Sequence, residues 1–110
     1  MNIECIDIGA IGKKFHYSEN GVQLARAYLY VLSNDLHDRP FGFMEDVFVH
    51  ASLRGQGIGS ELVRKVVEEA QRHGCYKLVC TSRHGKEDNV HELYKRLGFS
   101  DHGKEFRIDF

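Results

Sequence analysis

Arg54-Gly55-Gln56-Gly57-Ile58-Gly59-Ser60 is the stretch whose residue types and spacing point most directly to chemistry. Glycines at alternate positions let a backbone approach a ligand closely, and at a helix start they leave several amide N–H groups facing outward. Those donors, with about half a positive charge from the helix dipole, form an anion site suited to phosphate. A bare Gly-x-Gly is equally at home in a flexible turn, so the elements on either side decide its meaning. Two familiar phosphate loops are excluded by count. A Walker-type loop places Lys and then Ser or Thr after its last glycine, whereas Gly59 is followed by Ser60 and Glu61. A dinucleotide fingerprint needs Gly-x-Gly-x-x-Gly, and here the third position falls on Ser60 or Leu62.

The elements that must position this loop follow from hydrophobic period. Ile3 to Ile8 is a short β-rich run, closed by a turn-prone stretch with Gly9, Gly12 and paired lysines. Ser18-Glu19-Asn20-Gly21 carries the Asn-Gly hairpin signal with β-type residues on both sides. Val22 to Val31 reads as a long strand with imperfect alternation, Asn34 to Pro40 as a loop, and Phe41 to His50 as a third strand. In that strand Glu45, Val47 and Val49 fall on one face and Asp46, Phe48 and His50 on the other. The period then changes. Ile58, Leu62, Val66 and Ala70 recur every four residues with charged residues on the opposite arc, which predicts an amphipathic helix ended by Gly74. Tyr76 to Ser82 is a compact β-run, and Asp88 or Asn89 can cap a second helix carrying Val90, Leu93, Tyr94 and Leu97, ended by Gly98. Phe106 to Phe110 alternates as a last strand. The order is β-β-β-α-β-α-β: an antiparallel meander, then β-α-β-α-β, an α+β fold with a mixed sheet.

Composition bounds the function. The 110 residues suit one domain over 1–110, with 42% apolar residues to build its core. Fifteen Lys and Arg against sixteen Asp and Glu leave a formal charge of −1, which argues against nucleic acid as the main partner. No run approaches the roughly 18–20 apolar residues of a membrane span. Met1-Asn2-Ile3-Glu4-Cys5 carries an acid where a signal peptide carries basic residues, so the expected setting is cytoplasmic, with no membrane partner. Cys5, Cys75 and Cys80 are an odd number without a CxxC pair and read as reduced thiols; no metal site is expected among the scattered histidines.

Arg54-x-x-Gly57-x-Gly59 resembles the Q/R-x-x-G-x-G/A signature of the GNAT superfamily of acetyl-CoA-dependent N-acetyltransferases. The resemblance continues through Glu45-Asp46-Val47-Phe48-Val49, Gly74-Cys75-Tyr76-Lys77-Leu78 and Leu93-Tyr94-Lys95-Arg96-Leu97-Gly98-Phe99, in the family's order from Phe41 to Phe99. Glu-Asp and Gly-Cys-Tyr-Lys look most like glucosamine-6-phosphate N-acetyltransferases. Thr81-Ser82-Arg83-His84 and Val90-His91-Glu92-Leu93-Tyr94 look more like small bacterial members, and the subfamily stays open.

The resemblance implies acetyl-CoA as acetyl donor, with its pyrophosphate on Arg54, Gly55, Gln56, Gly57, Ile58, Gly59 and Ser60 and its pantetheine arm along the backbones of Val47, Phe48 and Val49. Tyr94 takes the position of the family's general acid. A phenol with a pKa near 10 is protonated at neutral pH and can donate to the departing CoA thiolate. Asn89 is implied to bond the CoA arm, although helix capping also accounts for it. Glu45 is the first candidate for the base that frees the acceptor amine, with Asp46, His50 or an ordered water as alternatives; relatives with a glutamate on the following strand have Thr81 here. The acceptor is an amine of a small molecule or peptide. Family members carry a strand and two helices ahead of the hairpin, whereas here only about eight residues of strand precede the first turn and the usual N-terminal helix pair is lacking. The acceptor wall is therefore expected to be shortened, absent, or supplied by a second subunit in a homodimer. This also keeps a second class of function open, an acyl-CoA-binding sensor without turnover.

Overall fold

Asn20 and Gly21 join the first two strands, with φ of 51° and 78°, the pair of left-handed residues that a type I′ turn requires. They close a hairpin between β1 (Ala10–Glu19) and β2 (Val22–Leu32), with Glu19 opposite Val22. The computed structural model describes residues 1–82 and 90–110. These divide into two compact units, Met1–Cys80 and Thr81–Phe110.

In the first unit, β2 pairs on its other side with β3 (Phe41–Val49), again antiparallel. β3 pairs in parallel with β4 (Leu78–Cys80) after the crossover through α1 (Ile58–Arg72). The sheet order is β1-β2-β3-β4, a mixed sheet in an α+β arrangement, as the sequence predicts. β2 alternates more strictly than its sequence suggests, because its faces differ: Ala25, Ala27, Leu29 and Val31 are buried and the residues between them are half-buried. Leu62, Val63, Val66 and Ala70 of α1 are buried too and complete the core with Met44 and Leu53. Full burial of Leu29, Val63 and Val66 is worth about 1.5–3 kcal/mol each.

α1 stops in a Schellman motif. Gly74 has φ 77°, its N–H reaches the Gln71 carbonyl at 2.9 Å, and the Cys75 N–H reaches that of Ala70 at 3.0 Å. The Tyr76 N–H then donates to the Pro40 carbonyl at 2.9 Å, which lines the chain up beside the start of β3.

Two predicted strands are corrected. Ile3–Ile8 is not a strand: Met1–Gly9 lie exposed outside any element, and β1 begins at Ala10 and runs through the turn-like Gly12-Lys13-Lys14. The partner decides this, since Ala10 to Glu19 is the segment that pairs along β2, from Ala10 opposite Leu32 to Glu19 opposite Val22, with one register shift between Tyr17 and Ser18. Phe106–Phe110 is not a strand either. Its apolar residues are exposed, and its charges are used locally, with Arg107 bridging Glu105 at 3.7 Å and Asp109 at 3.4 Å. Alternation alone supplies no ladder.

In the second unit a π turn at Val90 and His91 leads into α2 (Glu92–Arg96). Another Schellman motif ends it. The Gly98 N–H bonds the Lys95 carbonyl at 3.1 Å, the Phe99 N–H bonds that of Tyr94 at 2.9 Å, and the Tyr94 and Phe99 rings pack with centroids 5.5 Å apart.

Candidate functional site

β3 delivers the chain to the glycine loop through a short anchored turn. The His50 N–H donates to the Leu24 carbonyl at 2.7 Å, fixing the strand end to β2. The His50 ring then caps a single 3-10 turn, Ala51–Leu53: its Nδ1 accepts the Ser52 N–H at 3.1 Å and lies 2.8 Å from Ser52 Oγ. Leu53 is buried beneath it. Arg54 Nε turns back to donate to the Val49 carbonyl at 3.3 Å, and Gln56 Nε2 donates to the Ser52 carbonyl at 3.3 Å. The loop is thus tied on the two sides of its first glycine, by Arg54 to the end of β3 and by Gln56 to the 3-10 turn.

Gly55 and Gly57 have φ of 82° and 80°. Space does not demand glycine at either, since a Cβ would meet nothing within 4 Å; the left-handed backbone does. Gly59 differs. It sits in the first turn of α1, where an added Cβ would lie in ordinary contact 3.5 Å from Val49 Cγ2, on the strand side of the helix. The first ladder bond of α1 runs from the Glu61 N–H to the Gly57 carbonyl at 3.0 Å. The N–H groups of Ile58, Gly59 and Ser60 therefore precede the ladder, at the positive end of a 15-residue helix. That geometry suits an anion with several oxygens, and the exposed Arg54 adds a guanidinium beside it.

β3 itself departs from a regular strand. Tyr28 lies opposite Glu45 but Arg26 lies opposite Phe48, so Ala27 faces both Asp46 and Val47 across a β-bulge. Asp46 takes φ 55° there. The expectation that Glu45 shares a face with Val47 and Val49 is corrected by this extra residue. Val49 lies opposite buried Ala25 on the α1 side, whereas Glu45 lies with Tyr28, and Phe48 with Arg26, on the other face. β4 pairs with β3 only from Gly42 to Met44. From Glu45 onward β3 has β2 as its strand neighbour among the described residues, which leaves its other edge facing where an extended chain could add.

The side chains around the bulge are already committed. Arg26 Nε donates to Asp46 Oδ2 at 2.8 Å and Nη2 to Oδ1 at 3.4 Å, while its guanidinium stacks 4.7 Å above the Phe48 ring. The carboxylate beside it raises the Arg26 pKa further. Asp46 is thus an ion-pair partner and His50 a cap, whereas Glu45 stays exposed beside Tyr28. Tyr94 lies in the second unit, third from the end of α2, and Asn89 lies outside the described residues.

Cys5 is exposed, and Cys75 and Cys80 are half-buried. Burial pushes the Cys80 thiol up to about 11 and raises that of Cys75, so both are protonated at neutral pH and poor nucleophiles. Among the described residues no group of three or more His, Cys, Asp and Glu could hold a metal, and no helix is long and apolar enough to cross a membrane.

Sequence reasoning missed the bulge and the Arg26–Asp46 pair. The available signal was an acidic pair interrupting an apolar strand, with an arginine twenty positions upstream in the middle of another.

Known proteins resemble the chain in sequence and in fold. The sequence model of the acetyltransferase (GNAT) family matches residues 11–99. The chain is 35% identical over 71 residues to the glucosamine 6-phosphate N-acetyltransferase of Trypanosoma brucei brucei, covering 64% of this chain and 46% of that one. It is 50% identical over 71 residues to glucosamine 6-phosphate N-acetyltransferase 1 of Oryza sativa subsp. japonica, covering 63% of this chain and 39% of that one. The chain thus spans less than half the length of these curated relatives. The crystal structure of a Trypanosoma brucei acetyltransferase superposes with a TM-score of 0.78 at 30% identity, over 93% of this chain and 70% of that one.

Proposed function

The chain belongs to the acetyltransferase (GNAT) family, and on that premise we propose that it transfers the acetyl group of acetyl-CoA to a primary amine. The observation that carries this reading is the start of α1. Two left-handed glycines present the Ile58, Gly59 and Ser60 amides ahead of the helix ladder, at the end of a strand whose edge from Glu45 onward has no β4 partner. The diphosphate of CoA fits the amides and Arg54. Its pantetheine arm, with amide groups of its own, fits the backbone of Val47, Phe48 and Val49 as an added strand.

In this proposal Tyr94 donates its phenolic proton to the CoA sulfur as the thioester bond breaks, and Glu45 takes the proton of the incoming ammonium. Glu45 is preferred to Asp46 and His50 because those two are held by Arg26 and by the 3-10 turn. Asn89 belongs to the CoA-binding set by resemblance. Both curated relatives above are named for glucosamine 6-phosphate, so an amino-sugar phosphate heads the acceptors. The proposal includes a homodimer. β1 is an edge strand, and an open apolar groove of about 350 Å³ beside it is lined by Phe15, Tyr17, Ile58 and Leu62.

The test is calorimetric titration with CoA and acetyl-CoA, followed by thiol release across amino-sugar phosphates, diamines and peptides. CoA binding with thiol release on at least one amine supports the proposal. Binding without release across the whole panel would make the protein a sensor, and no binding would remove both readings. Sedimentation at twice the chain mass supports the dimer, and monomer at all concentrations removes it.

A further inference from the structure

Asp46 is in the left-handed region, with φ 55°. Asp visits that region more readily than most residues, but it still costs on the order of 1 kcal/mol and persists only where the surroundings hold it. Arg26 holds it from the neighbouring strand. Its guanidinium bonds both oxygens of Asp46 and stacks on Phe48. One side chain therefore grips the chain on both flanks of Val47, within the bulge where Ala27 faces two residues.

The bulge decides the direction of everything after it. With the extra residue in place, Val47 and Val49 turn toward the α1 side and Phe48 toward Arg26. Without it, a one-residue change of register would exchange the faces of Val47, Phe48 and Val49 and rotate their N–H and C=O groups with them. The bulge also sits where β4 stops pairing with β3, after Met44.

We propose that Arg26 is a positioning residue for the acyl carrier: by clamping Asp46 and Phe48 it keeps the β3 bulge in place and so aims the backbone of Val47–Val49 at the pantetheine arm. This rests on the function proposed above. The clamp acts on the arm more than on the diphosphate, because the loop from Gly55 to Ser60 has contacts outside Val47–Val49, Gln56 to the Ser52 carbonyl and the Glu61 N–H to the Gly57 carbonyl.

The test compares two probes on the full chain, CoA, which spans arm and loop, and adenosine 5′-diphosphate, which engages the loop alone. Arg26→Gln is expected to weaken CoA binding about tenfold and leave the diphosphate probe within twofold; Arg26→Lys should recover part of the loss. Asp46→Gly removes the carboxylate but lets the backbone keep its positive φ unaided, and it is expected to bind CoA within about threefold of the parent. A folded Arg26→Gln protein that binds CoA like the parent, or loses both probes equally, overturns the proposal. So does an Asp46→Gly protein that loses CoA tenfold, which also decides the matter if Arg26→Gln does not fold. Failure of the parent itself to bind CoA would instead overturn the function on which this rests.

Discussion

Lys13 Nζ on β1 lies 3.2 Å from Glu69 Oε1 on α1, and this pair pins the outer strand of the sheet to the last third of the helix. The same carboxylate accepts from the Arg72 guanidinium and lies 3.1 Å from His73 Nε2. Arg72 and Lys13 together hold the Glu69 pKa far below the ordinary carboxylate value. The Arg72 bonds contribute most and Lys13 next, against an opposing desolvation, and the pKa is lowered to about 2. Because the folded pKa is depressed, the contribution is present above the unfolded value of 4.5 and disappears as pH falls toward about 2. Replacing Glu69 with Gln should lower Tm by a few degrees at neutral pH. Melting curves of both proteins should converge between pH 4.5 and 2; a constant difference across that window would refute the assignment.

The glycines of the loop should separate into two kinds. Gly57→Ala forces a side chain into φ 80° and is expected to cost about 1 kcal/mol of stability and to weaken CoA binding at least fivefold. Gly59→Ala adds a methyl in ordinary contact with Val49, away from the amide donors, in a helix that favours alanine. It should fold as well as the parent and bind CoA within about threefold. Urea unfolding with calorimetry on both variants checks the pair.

Tyr94→Phe keeps the ring that packs on Phe99 and the backbone that closes the Schellman motif, so its fold should be unchanged. It removes the phenolic hydroxyl and with it the proton to be donated. Thiol release is expected to fall tenfold or more with CoA affinity within twofold. An unaltered rate removes Tyr94 from the proposed role.

How much of this was legible in the sequence depends on whether a residue's fate is local. The 58, 62, 66, 70 repeat located α1, and Leu62, Val66 and Ala70 are buried as it predicts. Asn20-Gly21 located the hairpin, and both residues take the backbone that the dipeptide favours. Strand pairing is not local. Ile3–Ile8 and Phe106–Phe110 have strand composition but no ladder, whereas Gly12-Lys13-Lys14 looks like a turn and is held straight by Tyr30, Leu29 and Tyr28 opposite. The bulge at Asp46 is a count of two residues against one across neighbouring strands, which no single-strand pattern contains. For the same reason the glycine loop at the start of α1 was readable, while the side chosen by Glu45 was not.

Gly42 shows the packing limit in the core. A Cβ there would lie 2.9 Å from Leu78 Cδ1 and 3.2 Å from Leu29 Cδ1, with Ala70 Cβ at 3.6 Å. Gly42→Val should therefore overpack the junction of β3, β4 and α1 and destabilise by about 1–3 kcal/mol. The urea midpoint is expected to fall with the slope unchanged; a midpoint equal to the parent's would show that the junction relaxes freely.

The crossover through α1 sets an order of events during synthesis. The β1–β2 hairpin closes across two residues, but the rung joining Gly42 to Leu78 must wait for a segment about 36 positions later. At roughly 5–20 residues per second, a ribosome leaves the strip of Ala25, Ala27, Leu29 and Val31 without its helical cover for seconds. Any sheet of β1, β2 and β3 formed before α1 emerges would present that apolar face bare, and docking of α1 is what covers it.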